Sequence, residues 1–344
     1  MLTRQNSLCL LGGWLDACAL WRLYLPYLNL PGSSFFIFAQ KPDWTKIAGA
    51  DIVVTQRCCT QQQYEFLATC RGLGMTVVYD LDDQVFDIPE KNPAAAVLHR
   101  YRDGFKQCMS IVDIITVSTR TLAKVVRRNI SHPHNRITGK EIPVLVVENR
   151  LDERWFSQPA QPDDKLIVGW AGSSSHVEDL EIVQDTLKAT ALEYPGVLFQ
   201  FRGMHPPETL RELPNVTHEL WTPVPEYGAR MPQWGWSIAL APLTDCEFNN
   251  AKSSLKIVES AHCSIPCLAS WQRPYDEFCS YDPELRWLLC AGQSSWASKL
   301  RVLINEPARR KELGSRMNKV MHEHYSWSKT HEGWTEVLST ARSL

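Results

Sequence analysis

AKSSLKIVE, residues 251–259, lies between two apolar runs of strand length, SIALAPL (237–243) and SIPCLAS (264–270). Its pattern reads as a helix starting near Ser253, which puts Lys252 and Lys256 at or near the first turn. A helix N-terminus carries partial positive charge, so each cation there opposes the helix by up to ~1 kcal/mol. An anion at that end reverses the sign. Free amides and two lysines between two buried parallel strands make a place for a phosphate or diphosphate. At about 100° per residue, Lys252, Lys256 and Glu259 share one face and Leu255, Val258 and His262 another. The same residues also fit a solvated charged face with a Lys256/Glu259 surface pair. The surrounding chain has to decide between the two.

The 344 residues suffice for two domains of ordinary size, each with its own core. With 44% hydrophobic and 22% charged residues the chain reads as globular and soluble, and a net charge of -2 implies no global attraction to nucleic acid or anionic membrane. The 11 cysteines show no C-x-x-C spacing, and Cys263 and Cys267 with His262 make only a weak ligand set. They read as buried free thiols in a reducing cytosol, so the expected location is cytoplasmic. Arg4 followed by SLCLLGGWLDACAL imitates a signal peptide, but Gly12, Gly13 and Asp16 interrupt the apolar run. No stretch reaches the ~18 uninterrupted apolar residues of a membrane span, so no stable membrane insertion is expected.

Short apolar runs alternate with helix-like segments along the chain. Strands are expected at 7–11, 34–39, 51–56, 76–83, 111–118 and 144–149. Helices are expected at 16–30, with Trp21, Leu25 and Leu28 on one face and a kink at Pro26, at 60–73, up to about Met109, and at 120–136. The Pro-rich stretch SQPAQPDD is the best linker. Beyond it the alternation resumes with KLIVGWAG, a helix over 177–194, VLFQFRG, a strand near 215–220, SIALAPL, the lysine helix and SIPCLAS. This pattern predicts an α/β protein of two domains, over 1–155 and 165–325, followed by a terminal helix over 326–344. Two Rossmann-like doubly wound domains then face a cleft, with ligands beyond the carboxyl ends of the strands.

Neither G-x-G-x-x-G nor G-x-x-x-x-G-K-[ST] occurs, which disfavours a nicotinamide dehydrogenase or a P-loop NTPase. GWAGSSSH (169–176) offers Gly172, Ser173 and Ser174 before a helix, donors suited to phosphate oxygens as well as to ordinary capping. The acidic set Asp80, Asp82, Asp83 and Asp87 sits at a strand end of the first domain. Asp80 and Asp82 form a D-x-D, which can hold a divalent metal through carboxylate oxygens, although the two-domain pattern argues against the fold that uses it so. Capping aspartates of a polar loop fit as well. Arg22, after Gly12 and Gly13, reads either as a contact for an anionic acceptor or as a surface arginine.

IVGWAGSSSHVEDL and WGWSIALAPLTDCEFNNAKSSLKIVESAHCSIPCLAS resemble the donor-nucleotide domain of GT-B glycosyltransferases, in particular glycosyltransferase group 1 (family 4-like) proteins. VVYDLDDQVFDIPEKNP and VLVVENRLDERWF resemble the same group, including its bacterial and phage members with a YDLDD strand end, and the likeness runs from about Trp14 to Trp334. It implies that 1–155 is the acceptor-side domain, that 165–325 is the donor domain and that the terminal helix over 326–344 packs back on the first domain. The resemblance implies a hexosyltransferase-type enzyme that moves a sugar from a nucleotide-diphosphate donor, UDP-sugar first, to an acceptor hydroxyl, with retention and with neither metal nor cofactor. It implies that Glu259 binds the donor ribose, that Lys252, Lys256 and Arg202 neutralise the diphosphate with Ser253 beside them, and that Asp82 or Asp83 acts near the acceptor hydroxyl. The implied acceptor is a glycan or polysaccharide precursor, or a hydroxymethylated base in phage DNA; for the latter, the location is the host cytoplasm and the basic residues Lys124, Arg127, Arg128, His132 and His134 would track a phosphate backbone. The chain departs from the family pattern at Ala251, where many members carry the first glutamate of E-x7-E. That departure leaves a non-catalytic nucleotide-sugar or carbohydrate-binding protein as the alternative.

Overall fold

The computed structural model describes residues 8–12, 16–28, 33–37, 43–47, 49–130, 134–157, 159 and 165–344. Two six-stranded sheets carry the architecture. In the first, β1 (Leu8–Gly12), β2 (Ser33–Ile37), β3 (Ile52–Gln56), β4 (Thr76–Leu81), β5 (Ile114–Val117) and β6 (Val144–Val146) run in the order β2-β1-β3-β4-β5-β6. In the second, β7 (Ile167–Gly172), β8 (Leu198–Gly203), β9 (Val216–Glu219), β10 (Ile238–Ala241), β11 (Cys267–Ser270) and β12 (Leu289–Cys290) run in the order β12-β11-β10-β7-β8-β9. Every pairing in both sheets is parallel. The α/β architecture of two doubly wound domains read from the sequence is the one the chain adopts.

Parallel sheets are covered on both faces, which is why β3, β10 and β11 are mostly apolar and buried along their length. Alternate residues go to opposite sides. Val53, Val77, Tyr79 and Ile115 pack with Phe66, Leu67 and Phe105 of the helices Gln61–Gly72 and Arg102–Met109. Val54, Val78 and Ile114 face the other way, against Trp334, Val337 and Leu338 of the terminal helix Trp327–Ser343. The chain therefore returns from the second domain to close the open face of the first sheet.

Several helices depart from the sequence reading for local reasons. The segment expected over 16–30 is helical over Ala17–Tyr27 and contains a widened π turn at Leu20–Tyr24, closed by Leu25 N–H donating to Leu20 O. Pro26, which has no N–H to give, follows that turn, and Leu28 ends exposed instead of sharing the buried face of Trp21 and Leu25. The helix expected over 177–194 is two, Val177–Glu181 and Gln184–Glu193. The basic helix ends at Asn129, because Ile130 takes extended backbone. Among the calls on the N-terminal glycines and the basic stretch, Gly13 and His132 lie outside the described residues.

The lysine stretch is also resolved in detail. A short helix, Glu247–Asn250, precedes it, and the lysine helix spans Leu255–His262 with Ser254 at its N-cap. Lys256 is thus in the first turn, while Lys252 stands just ahead of it. The two domains meet here. Thr119 Oγ1 donates to Ala251 O at 2.8 Å, Asn149 Nδ2 to Ser253 Oγ at 3.1 Å, and Arg128 Nη2 to Glu247 Oε2 at 2.7 Å.

Candidate functional site

Strand order reverses between β1 and β3 in the first sheet and between β7 and β10 in the second, and such reversals open a crevice at the carboxyl ends of the strands. Between the two crevices lies a cavity of about 270 Å³. The first domain contributes Ala17, Cys18 and Trp21 after β1, and Asp82 and Asp83 after β4. The second contributes Gly172 at the end of β7, Ser173 and His176 just after it, and Lys252, Ser253, Lys256 and Glu259 after β10.

The lysine helix aims its charged face into this cavity. Lys256 Nζ donates to Ala171 O, lies 5.2 Å from the centroid of the Trp170 ring, and is lowered from the ordinary lysine range chiefly by burial. Glu259 sits one turn further, where Tyr227 Oη donates to its Oε2 at 2.8 Å. Burial pushes its carboxyl up to about 7, although Tyr227 and Lys256 both favour the charged form. Lys252 Nζ is 3.9 Å from Asp83 Oδ2 and 4.7 Å from the Phe248 ring centroid. The position where the resemblance expects a glutamate is fully buried: Ala251 packs with the core of the first domain and its carbonyl accepts from Thr119. A glutamate there would meet the domain contact.

The three aspartates after and within β4 have different situations. Asp80 is buried under Arg22, whose Nη2 reaches Oδ1 at 2.7 Å and whose Nε reaches Oδ2 at 3.1 Å; Thr116 and Gln56 donate to the same carboxylate. Arg22 also donates to Val147 O and, at 2.9 Å, to Asn149 Oδ1. It is 1% exposed and does not line the cavity, so the acceptor-contact reading of Arg22 gives way to that of a buried ion pair, and the D-x-D aspartates are each engaged by an arginine. Burial would raise Asp82, but Arg57, 2.8 Å away, holds its carboxyl below the usual range. Arg57 adopts φ 52°, a left-handed conformation that costs a non-glycine residue about 1 kcal/mol, and its Nη2 also donates to Cys18 Sγ at 2.9 Å. Asp83 is raised by burial against the pull of Lys252 and is the less engaged of the two.

Two expected phosphate contacts stand elsewhere. Arg202 Nε donates to Gln200 Oε1 at 2.9 Å, its guanidinium lies 4.7 Å from the Trp234 ring centroid, and it does not reach the cavity. Ser174 opens a 3₁₀ turn, Ser174–His176, and is also absent from the lining, whereas Gly172 and Ser173 are present. Gly12 ends β1 at the cleft edge of its sheet.

The aromatic wall was not anticipated. Trp155, Trp221, Tyr227, Trp234 and Trp236 line the cavity. Gly235, at φ 68°, turns the chain between two of them, and Gly169 leaves the room that the Trp236 ring fills: a Cβ on Gly169 would stand 2.0 Å from that ring. The W-G-W run was visible in the sequence, but nothing in its spacing told a cavity wall from core. Nothing in the sequence assigns His176 a role. Its Nδ1 lies 2.7 Å from Asp179 Oδ2, an H-x-x-D spacing that one helical turn brings together.

No protein-family model matches the sequence, and no curated protein sequence matches it. Solved structures do match. Sucrose-phosphate synthase from Thermosynechococcus elongatus aligns with a TM-score of 0.67 at 12% identity, covering 98% of this chain and 100% of that one. A glycosyltransferase from Rickettsia africae aligns with a TM-score of 0.67 at 10% identity, covering 98% and 99%. Anabaena HepE, solved in complex with UDP-glucose, aligns with a TM-score of 0.66 at 13% identity, covering 97% and 99%. The likeness defines the class by fold: this chain has the GT-B architecture of those glycosyltransferases.

Proposed function

We propose that the protein is a glycosyltransferase that moves a sugar from a nucleotide-diphosphate donor, UDP-sugar first, to an acceptor hydroxyl, and that it is a group 1, family 4-like enzyme. The observation that carries this reading is the convergence of Lys252, Lys256 and Glu259 with Asp83 in one cavity at the switch points of both sheets. Breaking the bond between sugar and diphosphate develops negative charge on the departing phosphate. The two lysines and the amides at the start of the lysine helix stabilise that charge with no metal required. Ser253 and Ser173 add hydroxyl donors. Glu259 binds the ribose, and the aromatic wall encloses the base. Asp83 acts near the acceptor hydroxyl, and the configuration at the transferred carbon is retained.

The acceptor is a hydroxyl of a glycan precursor in preference to a modified base in DNA. Arg127 and Arg128, on which a phosphate-backbone contact would lean, are bonded to Val144 O and Glu247. Retention of the protein on hydroxymethylated DNA that weakens with salt and is lost in an Arg127, Arg128 double alanine variant would reverse that preference. Among the described residues no helix is long and apolar enough to cross a membrane.

The experiment is a thermal shift with UDP, GDP and their sugar conjugates, followed by release of free nucleotide from the best ligand. A ligand at a hundred times its Kd stabilises by about 2.7 kcal/mol, a shift of several degrees. No shift with any of them sinks the reading.

A further inference from the structure

We propose, resting on that donor-site reading, that His176 is a third basic member of the diphosphate site: neutral in the unliganded protein, it takes a proton on Nε2 when the diphosphate arrives and donates a hydrogen bond from there to the departing phosphate oxygen.

The geometry begins with Asp179, which is 3% exposed. Its Oδ1 accepts from Thr244 N–H at 2.8 Å and Asn249 Nδ2 at 3.1 Å, and its Oδ2 faces His176 Nδ1 at 2.7 Å. A carboxylate fixed by two donors is ionised and accepts only, so Nδ1 carries the proton that it takes from the ring. Nε2 is then the lone-pair nitrogen, with no partner among the described residues, on a ring that lines the cavity beside Gly172 and Ser173.

The groups that face this ring set its charge. Asp179, on its own helix, favours the imidazolium; Lys256 on the lysine helix and Lys252 ahead of it oppose it, and the Trp170 ring of β7 meets it edge-on at 6.3 Å. Burial and the two lysines prevail, and the imidazole is held well below its ordinary range. An anionic diphosphate reverses the balance, because it neutralises the same two ammonium groups and adds its own attraction for a proton. His176 then becomes a cation only in the complex, already oriented by Asp179, at the point where charge develops during transfer. The proton comes from solvent and makes the Nε2–H bond; no covalent bond between His176 and the nucleotide forms or breaks, and its part is a charge-assisted hydrogen bond.

Isothermal titration calorimetry with UDP-glucose and GDP-mannose, near neutral pH in two buffers of different ionisation heat, reads the protons taken up on binding. Both phosphates of these probes are esterified and do not titrate in that range, so the uptake belongs to the protein. Glu259 also titrates near neutrality, and Glu259→Gln serves as its control. Wild type is expected to take up about half to one proton more than His176→Gln, which keeps Glu259 and binds roughly tenfold more weakly, and the same difference is expected between Glu259→Gln and the double variant Glu259→Gln, His176→Gln. Nitrogen-15 NMR of the wild-type histidine rings gives the same answer without any variant: a neutral Nδ1–H ring free, a doubly protonated ring in the complex. Binding with no uptake that depends on His176, or a ring that stays neutral in the complex, overturns the inference. Failure of both probes, and of UDP and GDP, to bind overturns the donor-site reading instead.

Discussion

Asp83 and Lys252 face each other across the domain boundary, Oδ2 3.9 Å from Nζ, while Asp82 is held by Arg57 on its own domain. The two carboxylates therefore answer differently to substitution. Asp83→Asn is expected to lower turnover with little change in melting temperature, and Asp82→Asn to lower stability by freeing a strained Arg57. On the proposed function, Lys252→Met takes a fixed cation away from the departing phosphate and should slow transfer by on the order of 10²-fold. Sugar-transfer assays and thermal denaturation of the three variants check this. Turnover untouched in Asp83→Asn removes Asp83 from the acceptor side, and nucleotide binding without turnover in the wild type favours a binding protein.

Glu259 gives the stability a pH dependence of defined sign. The folded carboxyl keeps its proton up to about pH 7, whereas an unfolded glutamate releases it at roughly pH 4. Between these values the native chain binds more protons, so the contribution is fully present at the acid end and is lost as pH rises to about 7. The loss is on the order of 3 kcal/mol at most, and less because Glu259 is only partly buried. His176 acts the other way: its lowered range costs stability as pH falls below that of an ordinary imidazole. Urea unfolding of wild type and Glu259→Gln across this window separates the two. A slope that is the same in both proteins refutes the assignment.

The sheets were legible because strands buried on both faces read as apolar runs, as in Ile52–Val54 of β3 and in β10. Lys256 and Glu259 were legible because the helical period put them on one face. Pairings across long sequence separation were not. Arg22 and Asp80 are 58 residues apart, and neither periodicity nor composition marks which arginine meets which aspartate. The resemblance makes Arg202 a phosphate ligand, yet Gln200 on the same strand and the Trp234 ring engage it away from the cavity. Ala251 looked like a missing ligand, and its burial against the first domain shows the packing reason for a small side chain. The pair His176 and Asp179 had a readable spacing, but the spacing alone does not reveal that Thr244 and Asn249 fix the carboxylate.

Arg22 should behave as a structural residue. Removing one partner of a buried ion pair leaves an uncompensated charge and costs about 3–5 kcal/mol. Arg22→Met is expected to destabilise by that order, since Asp80 would keep only the neutral donors Thr116 and Gln56. The double variant Arg22→Met, Asp80→Leu should recover part of the loss, and its folded fraction should retain nucleotide affinity. Chemical denaturation with nucleotide titration tests both statements. A stable Arg22→Met that has lost only acceptor affinity would return Arg22 to the acceptor side.

The terminal helix gives the last prediction. Trp334 is 1% exposed, its ring centroid is 4.8 Å from that of Tyr27, and the Arg22 guanidinium lies 5.5 Å from its centroid. Together with Val337 and Leu338 it covers Val54, Val78 and Ile114 of the first sheet. Truncating a fully buried tryptophan removes its transfer free energy and leaves a cavity, so Trp334→Ala should cost about 3–5 kcal/mol. Removing residues 327–344 should do more, since a parallel sheet with one bare face exposes an apolar patch to water. The expected signs are a fall in melting temperature for the substitution, and dye binding with aggregation for the deletion. The donor side should be spared in the folded fraction of Trp334→Ala, because Lys252, Lys256 and Glu259 stand on the other domain. A deletion that unfolds as cooperatively and at the same temperature as the full chain would show that the helix is an appendage and not a wall of the first core.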